Sequence, residues 1–225
     1  MKKTIQRSSE RGKYKNEWLN TKYSFSFSNY YNQKRLGFGK ILVLNDDIIQ
    51  PGQGFPMHHH ENMEIITIIL EGTLEHKDSL NNTGRIEENE IQIMSAGTGI
   101  THSEYNPSKT KETKLLQIWI EPNEVDIKPR YENKKIELKD NELNIIINKE
   151  IKQDARLYLG EFKEEKHIEY KTKNNNGIFI FIIKGKIEVE NEKLNERDSI
   201  EIITTEKIKI KTEIDSKILI IETVM

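Results

Sequence analysis

Three consecutive histidines, His58, His59 and His60, follow a glycine-rich turn at Pro51-Gly52-Gln53-Gly54. If the segment is a strand, side chains two residues apart share one face, so His58 and His60 point together and His59 points away. Neutral imidazoles are common ligands of divalent iron, nickel, copper and zinc. The triplet lies well inside the chain, which excludes a terminal affinity tag as its origin.

His102 and Glu104 repeat the two-residue spacing on a later predicted strand, again after a glycine-rich turn, Ala96-Gly97-Thr98-Gly99. Two such pairs on facing walls of a barrel would offer three imidazoles and one carboxylate, a suitable donor set for one divalent ion. The alternative interpretation is a surface cluster of histidines or a group of hydrogen-bonded core histidines. The repeated paired spacing favours the metal site.

Glu64 is a second candidate for the carboxylate ligand. It lies an even number of residues after His58 and His60, so it would share their face if one strand continued through all three. Spacing alone does not separate it from Glu104. Glu64 could instead lie beside a ligand and orient it through a hydrogen bond. Of the other histidines, His76 is predicted to make a structural hydrogen bond at a strand end, and His167 is predicted to lie at the surface.

Short β runs separated by turns surround these residues, and no long segment has a helical period. Helices are therefore predicted to be few, short and peripheral. Residues 66–75 and 179–188 resemble each other, and each segment is followed by an acidic turn and a further strand. A repeat in the same order in both halves is typical of a duplicated β-barrel.

A polar, charge-rich stretch with two prolines separates the two sets of strands, which predicts a linker. The predicted organisation is an N-terminal metal-binding barrel at residues 1–125, a linker at 126–145 and a C-terminal metal-free barrel at 146–225.

The composition indicates a folded protein with a very polar surface. The 225 residues include 35 basic and 37 acidic side chains, and the net charge of -2 gives no support for nucleic-acid binding. The absence of cysteine excludes disulfides and thiolate metal sites. No apolar run approaches the roughly 20 residues of a membrane span. The basic N-terminus lacks the apolar stretch of a secretory signal, so a soluble cytoplasmic protein is expected.

The motifs around the histidines resemble those of the pirin family, whose members are bicupins. The most specific matches are residues 54–60, 65–79 and 92–107, and the similarity is loose but collinear in the second half. The resemblance implies an all-β fold of two cupin-type, jelly-roll-like antiparallel barrels with few short helices. Bacterial pirin-like quercetin 2,3-dioxygenases are the most similar members.

The resemblance implies one divalent transition-metal ion in the N-terminal barrel, with His58, His60, His102 and Glu104 as ligands. It favours Glu104 over Glu64, a choice that spacing leaves open. Iron is the expected metal, and nickel, cobalt, manganese, copper and zinc are alternatives, since imidazole and carboxylate accept several ions. No other cofactor is predicted.

The function implied by the resemblance is a metal-dependent dioxygenase that cleaves quercetin or a similar enolic aromatic, with loss of carbon monoxide. Glu104 is expected to act as catalytic base as well as ligand. The expected partners are a small aromatic substrate and dioxygen, without nucleic acid or membrane. The alternative is a non-enzymatic metal-binding regulatory or stress-response protein that acts through a protein partner.

Two residues depart from the family pattern. His59 stands where pirins usually have proline between the two histidine ligands, and it could loosen the turn or, if the strand register shifts, serve as an alternative ligand. Tyr23 stands where many relatives have a histidine. If that position lines the pocket, Tyr23 alters substrate preference.

Overall fold

The structure, a computed structural model, describes residues 1–203 and 205–225. Its one helical element in those ranges is a 3-10 turn at Ser8–Glu10, and none of its helices is long and apolar enough to cross a membrane. In chain order the strands are β1 (Lys2–Gln6), β2 (Gly12–Lys15), β3 (Leu19–Tyr23), β4 (Ile41–Ile49), β5 (Gly54–His60), β6 (Glu64–Glu71), β7 (Thr73–Asp78), β8 (Thr83–Glu87), β9 (Glu90–Ser95), β10 (Ile100–Tyr105), β11 (Thr113–Ile120), β12 (Arg130–Lys135), β13 (Leu143–Ile147), β14 (Arg156–Phe162), β15 (Lys166–Lys171), β16 (Asn176–Lys184), β17 (Lys186–Val189), β18 (Glu192–Asn195), β19 (Ser199–Ile203), β20 (Lys207–Thr212) and β21 (Ser216–Val224).

The strands form four antiparallel sheets, a large and a small one in each half. The N-terminal sheets have the orders β12-β9-β6-β11-β4-β3-β2 and β5-β10-β7-β8. The C-terminal sheets have the orders β1-β19-β16-β21-β14-β13 and β15-β20-β17-β18. Apart from the edge strands, each N-terminal strand has a C-terminal counterpart ten positions later, so the predicted duplication is confirmed. The all-β bicupin fold is also confirmed, with each barrel an open pair of facing sheets.

The same glycine turn joins the large sheet to the small sheet in both halves. Gly72 has φ +84° and Gly185 has φ +78°, a left-handed conformation that glycine adopts without steric cost. A Cβ atom would lie 2.7 Å from the Glu112 carbonyl oxygen at the first turn and 2.8 Å from that of Asp215 at the second. Any other residue would therefore clash with the backbone at either turn.

Alternation along the strands divides the molecule into layers. On β11, Leu116 and Ile118 belong to a core that the two large sheets share with residues such as Phe179. The neighbouring Leu115 packs instead with the small N-terminal sheet. The small C-terminal sheet packs on its own large sheet through a separate apolar core. The space between the two N-terminal sheets is the layer that holds the histidines.

Edge strands connect the halves. β1 pairs with β19, so the first strand of the chain extends the C-terminal large sheet. β12 lies within the predicted linker at 126–145 but pairs with β9 at the edge of the N-terminal large sheet. None of its side chains is fully buried, which accounts for the polar composition that predicts a linker. The division into 1–125, 126–145 and 146–225 stays a prediction.

Candidate metal centre

His58, His60 and His102 come together on the inner face of the small N-terminal sheet. β5 pairs with β10 so that His58 lies opposite His102. The ring centroids are 4.4 Å apart for His58 and His102, 4.8 Å for His58 and His60, and 5.0 Å for His60 and His102. One ligand nitrogen from each ring lies within 4.8 Å of the other two. The three predicted histidines therefore share one site.

His59 lies on the other face of β5, as strand alternation predicts. Its exposed ring has Nδ1 3.2 Å from Thr101 Oγ1 and Nε2 3.0 Å from Glu61 Oε1. Both contacts are with residues outside the histidine cluster. His59 is thus not positioned as an alternative ligand.

Hydrogen bonding leaves a free nitrogen on His58. Its Nδ1 atom lies 2.8 Å from the Pro56 carbonyl oxygen, which can only accept, so Nδ1 carries the hydrogen. The lone pair of neutral His58 is then on Nε2. A hydrogen bond of this kind fixes the tautomer and the orientation of metal-binding histidines.

His102 provides the clearest test of whether a metal fits. The residue is fully buried, and its Nε2 atom has no hydrogen-bond partner within residues 1–203 and 205–225. Leaving a buried polar atom unpaired costs about 1–3 kcal/mol. Coordination to an ion held jointly with two further imidazoles would satisfy this nitrogen. The donor set therefore fits a divalent transition metal.

A buried carboxylate and a second histidine set the tautomer of His102. Asp78 Oδ2 lies 2.9 Å from His76 Nε2 and accepts its hydrogen. The Nδ1 atom of neutral His76 is then unprotonated and accepts from His102 Nδ1, 3.3 Å away. His102 is left with its lone pair on Nε2. The ring of Tyr131 stacks on His76 at a centroid distance of 4.2 Å and holds it in place.

The charge of Asp78 supports this chain of hydrogen bonds. Burial acts to raise its pKa, but hydrogen bonds from His76 and Asn82 lower the pKa by more, so the net pKa is below its ordinary value. An ionised Asp78 can only accept, which fixes the direction of the bond from His76.

His76 thus does more than make the structural hydrogen bond predicted for it. Its contact with His102 joins it to the site, and it forms a second group with His102 and Glu104 whose ligand atoms lie within 4.8 Å. Leu74, His76 and Asp78 are all buried on one face of β7. That alternation is the sequence signal that could have assigned His76 to the interior.

Two of the histidines are strongly biased toward the neutral form. Burial, followed by repulsion from His102 and His58, lowers the pKa of His60 to about 4. Burial, followed by repulsion from His58 and His76, lowers the pKa of His102 to about 3. Because only the neutral ring can coordinate a metal, both side chains are ready to bind one at neutral pH.

Glu104 is buried beside His102, and two amides hold its carboxylate. Gln92 Nε2 donates to Oε1 at 3.1 Å, and Gln117 Nε2 donates to Oε2 at 2.8 Å. Gln117 is oriented in turn by Trp119, whose Nε1 atom donates to Oε1 of Gln117 at 3.2 Å. These donors come from the large sheet and the carboxylate from the small one, so Glu104 bridges the two walls of the site.

Glu64, the rival carboxylate, faces away from the histidines. It has the same parity on β6 as Ile66 and Ile68, which pack in the core between the two large sheets. Its Oε2 atom accepts a hydrogen bond from Ser95 Oγ at 2.7 Å. The structure therefore brings Glu104, not Glu64, next to the imidazoles.

Asp47 is a further buried carboxyl group in the N-terminal half, and it is not among the predicted site residues. It lies on β4 opposite Leu115, with its side chain in the layer between the two N-terminal sheets. Burial raises the pKa of Asp47 to about 7, the nearby Thr21 hydroxyl opposes the shift, and Asp46 and Glu104 add to it.

We expect Asp47 to make the protein less stable as the pH rises. Its pKa is about 7 in the folded protein and about 3.9 in an unfolded chain, so between these values the folded form binds more protons. The free energy of unfolding therefore falls as pH increases from about 4 to 7. Asp47→Asn removes this titration, so its stability relative to wild type should be higher at pH 8 than at pH 5 by about 2 kcal/mol.

Urea unfolding of metal-free wild type and Asp47→Asn at the two pH values measures the difference. Asp140→Asn is the control, because Asp140 is exposed and its replacement should give no comparable pH-dependent change. Parallel stability profiles for Asp47→Asn and wild type would contradict the assignment.

Comparison with known proteins places the chain in a family. The family described as Pirin matches residues 4–120, and the Quercetinase C-terminal cupin domain matches residues 148–223. The chain is 37% identical over 224 residues to a quercetin 2,3-dioxygenase from Escherichia coli K12, covering 97% of each. It is 33% identical to a pirin-like protein from Caulobacter vibrioides, covering 91% of this chain and 92% of the other. A crystal structure of the bacterial pirin YhhW from Escherichia coli in complex with nickel(II) matches with a TM-score of 0.95 and 36% identity, covering 99% of each chain. Sequence and fold agree over nearly the full length, and the chain belongs to the pirin family.

Proposed function

We propose that this protein binds one divalent transition-metal ion and uses dioxygen to cleave quercetin or a similar enolic aromatic. The proposed ligands are His58, His60, His102 and Glu104, and Glu104 is also the proposed base. The observation that carries the proposal is the buried Nε2 atom of His102, which has no hydrogen-bond partner in the described part of the chain and lies within a cluster of three imidazoles. The relatives support it, since one is a quercetin 2,3-dioxygenase and another is a pirin in complex with nickel(II).

The chain's own residues provide a site for proton removal. A bound divalent ion would supply Lewis-acid stabilisation of negative charge on the enol oxygen of the substrate. Glu104 takes the proton of that hydroxyl, and the amides of Gln92 and Gln117 keep its carboxylate oriented. In the overall reaction, both atoms of one dioxygen enter the product, the ring opens and one carbon monoxide leaves.

Aromatic side chains form the approach to the histidines. Trp119 is half-buried, and its ring centroid lies 4.8 Å from that of His60. Phe27 contacts Trp119 edge-to-face at 5.3 Å, and Phe55 lies 6.4 Å from His58. Trp119 therefore contacts the histidine cluster as well as the apolar core. Aromatic walls suit a flat aromatic substrate and exclude water from it.

Dioxygen uptake with quercetin tests the proposal. The protein is loaded in turn with iron, nickel, cobalt, manganese, copper and zinc, and uptake is recorded with an oxygen electrode. At least one metal should support uptake, with carbon monoxide released mole for mole. A tightly held ion without uptake for any of these metals would overturn the enzymatic function and favour the non-enzymatic metal-binding alternative.

His76→Phe is expected to weaken metal binding by about 10- to 100-fold, the usual effect of losing the partner that orients a ligand. Phenylalanine keeps the stack on Tyr131 but cannot accept a hydrogen bond from His102 Nδ1. Competition with a chromophoric chelator measures the affinity. His59→Ala is the matched control and should bind metal like wild type, because His59 lies on the exposed face of β5. Equal affinity for His76→Phe and wild type would refute the role of His76.

A further inference from the structure

A cavity of about 210 Å³ lies at the other end of the N-terminal sandwich layer, between β3, β4 and β5. Phe27 and Phe55 are among its walls, together with Tyr23. An apolar cavity of roughly 150 Å³ can hold a benzene ring, so this volume is enough for one substituted aromatic ring.

The polar side of the cavity carries buried oxygen atoms without partners. Thr21, Asn45 and Asp47 line it and are each at most 3% exposed. Within residues 1–203 and 205–225, Thr21 Oγ1, Asn45 Oδ1 and Asp47 Oδ1 have no hydrogen bond of ordinary length and angle. Such groups are rare in native structures because each one costs about 1–3 kcal/mol. Three of them around one cavity point to a ligand that pairs with them.

One row of residues on the large sheet runs from the cavity wall to the two amides that hold Glu104. The row crosses five neighbouring strands, and each of its residues lies directly opposite the next. In order they are Tyr23, Asn45, Gln117, Thr67 and Gln92. Gln92 and Gln117, two members of this row, donate hydrogen bonds to the carboxylate of Glu104. Phe55 and Phe27 connect the cavity to the histidines along the other wall. A ligand with its reactive end at Glu104 could therefore extend into the cavity.

The chemistry of the unpartnered atoms selects the ligand. The Asn45 amide oxygen can only accept, and Asp47, when ionised, can accept two hydroxyl groups at once. The Thr21 hydroxyl can do both. A ring that carries hydroxyl groups supplies the missing donors, whereas a bare phenyl ring would leave all three oxygens unpaired.

We propose that Thr21, Asn45 and Asp47 form a subsite that binds a hydroxylated ring of the substrate and selects for its hydroxyl groups. This inference rests on the proposed function, because it assumes that the reactive end of the same molecule lies at the histidines. In quercetin, the pendant ring with two adjacent hydroxyls occupies the subsite. Tyr23 lies beside that ring.

Binding of two flavonols to the metal-loaded protein without dioxygen tests the subsite. The first is quercetin and the second lacks both hydroxyls on the pendant ring, and quenching of tryptophan fluorescence reports binding. Wild type should prefer quercetin by about 10- to 100-fold, as expected for hydrogen bonds from two hydroxyls. Asp47→Leu should reduce the preference to less than about threefold. Thr21→Val, which keeps the side-chain shape, should reduce it about three- to tenfold.

Thermal melting separates ligand binding from a structural role. Because Asp47 Oδ1 is buried without an ordinary hydrogen bond in the described residues, Asp47→Leu should melt at or above the wild-type temperature. Asp46→Asn is the matched control: it removes the adjacent carboxylate, which pairs with Arg11 on the opposite face, and should keep the wild-type preference. An unchanged preference in folded Asp47→Leu and Thr21→Val, or no preference in wild type, would overturn the subsite. A large fall in melting temperature for Asp47→Leu would also do so.

The binding measurement is independent of turnover. If no dioxygen is taken up, the proposed reaction is overturned. The binding titration still reports whether the cavity discriminates between the two rings. Conversely, if both flavonols are turned over and both bind with equal affinity, the result would support the reaction and overturn the subsite.

Discussion

Replacing both His58 and His60 with alanine should reduce the metal content from about one ion per chain to nearly none. Of the four proposed ligands, the change leaves only His102 and Glu104, too few for the usual three- or four-ligand site. His76 does not replace the lost imidazoles, because its two nitrogens are hydrogen-bonded to Asp78 and His102. Elemental analysis of the purified variant measures the loss. Added metal should raise the melting temperature of wild type but not of the variant, because an ion at about 100 times its dissociation constant stabilises by about 2.7 kcal/mol.

The double variant His59→Ala, His167→Ala is the matched control for this experiment. It also removes two histidines, but both are exposed and outside the cluster. We expect this control to keep its ion and its metal-dependent rise in melting temperature. Unchanged metal content in the His58→Ala, His60→Ala variant would refute the site.

Strand periodicity predicted the fold and part of the site because both depend on local alternation. The repeat seen in residues 66–75 and 179–188 corresponds to β6–β7 and β16–β17, with the same glycine turn in each half. Alternation within one strand likewise grouped His58 with His60 and placed His59 on the opposite face. These conclusions needed no knowledge of which strands are neighbours.

The rule that residues two apart share a face could not place Glu64, because the rule holds only within one continuous strand. β5 ends at His60 and β6 begins at Glu64, and between them Asn62 turns the chain with a φ of +46°. The two strands then enter different sheets. Counting residues across that turn therefore says nothing about which face Glu64 occupies, and only the family pattern favoured Glu104.

Asp47, Gln92 and Gln117 were not predicted because their roles depend on contacts between distant strands. Gln92 and Gln117 each look like an isolated polar residue in an apolar run, and Asp47 ends the polar triplet Asn45-Asp46-Asp47. Sheet pairing places Gln117 opposite Asn45 and the small sheet places Glu104 above it, which the local sequence does not show. A buried polar residue among apolar neighbours is nevertheless a useful signal, because burial without a partner is costly.

Glu104→Gln should lower kcat by about 10²- to 10⁴-fold, the usual contribution of a general base, while reducing metal content much less. Glutamine has the shape of glutamate and keeps one oxygen donor, but its amide does not take a proton at neutral pH. The new NH₂ group at position 104 would face the Nε2 donor of Gln92, so two hydrogen-bond donors would meet. Rotation of the Gln92 amide relieves this conflict, because its Oε1 atom has no partner in the described part of the chain and can accept.

Glu64→Gln separates the loss of a base from the loss of any buried carboxylate. Both side chains are 1% exposed, and both substitutions remove one negative charge without changing shape. Because Glu64 faces the core between the large sheets, its variant should turn over quercetin at the wild-type rate. Full activity of Glu104→Gln would exclude it as the base. Equal loss of metal and activity would assign Glu104 the ligand role alone, since a base acts on substrate after the ion is bound.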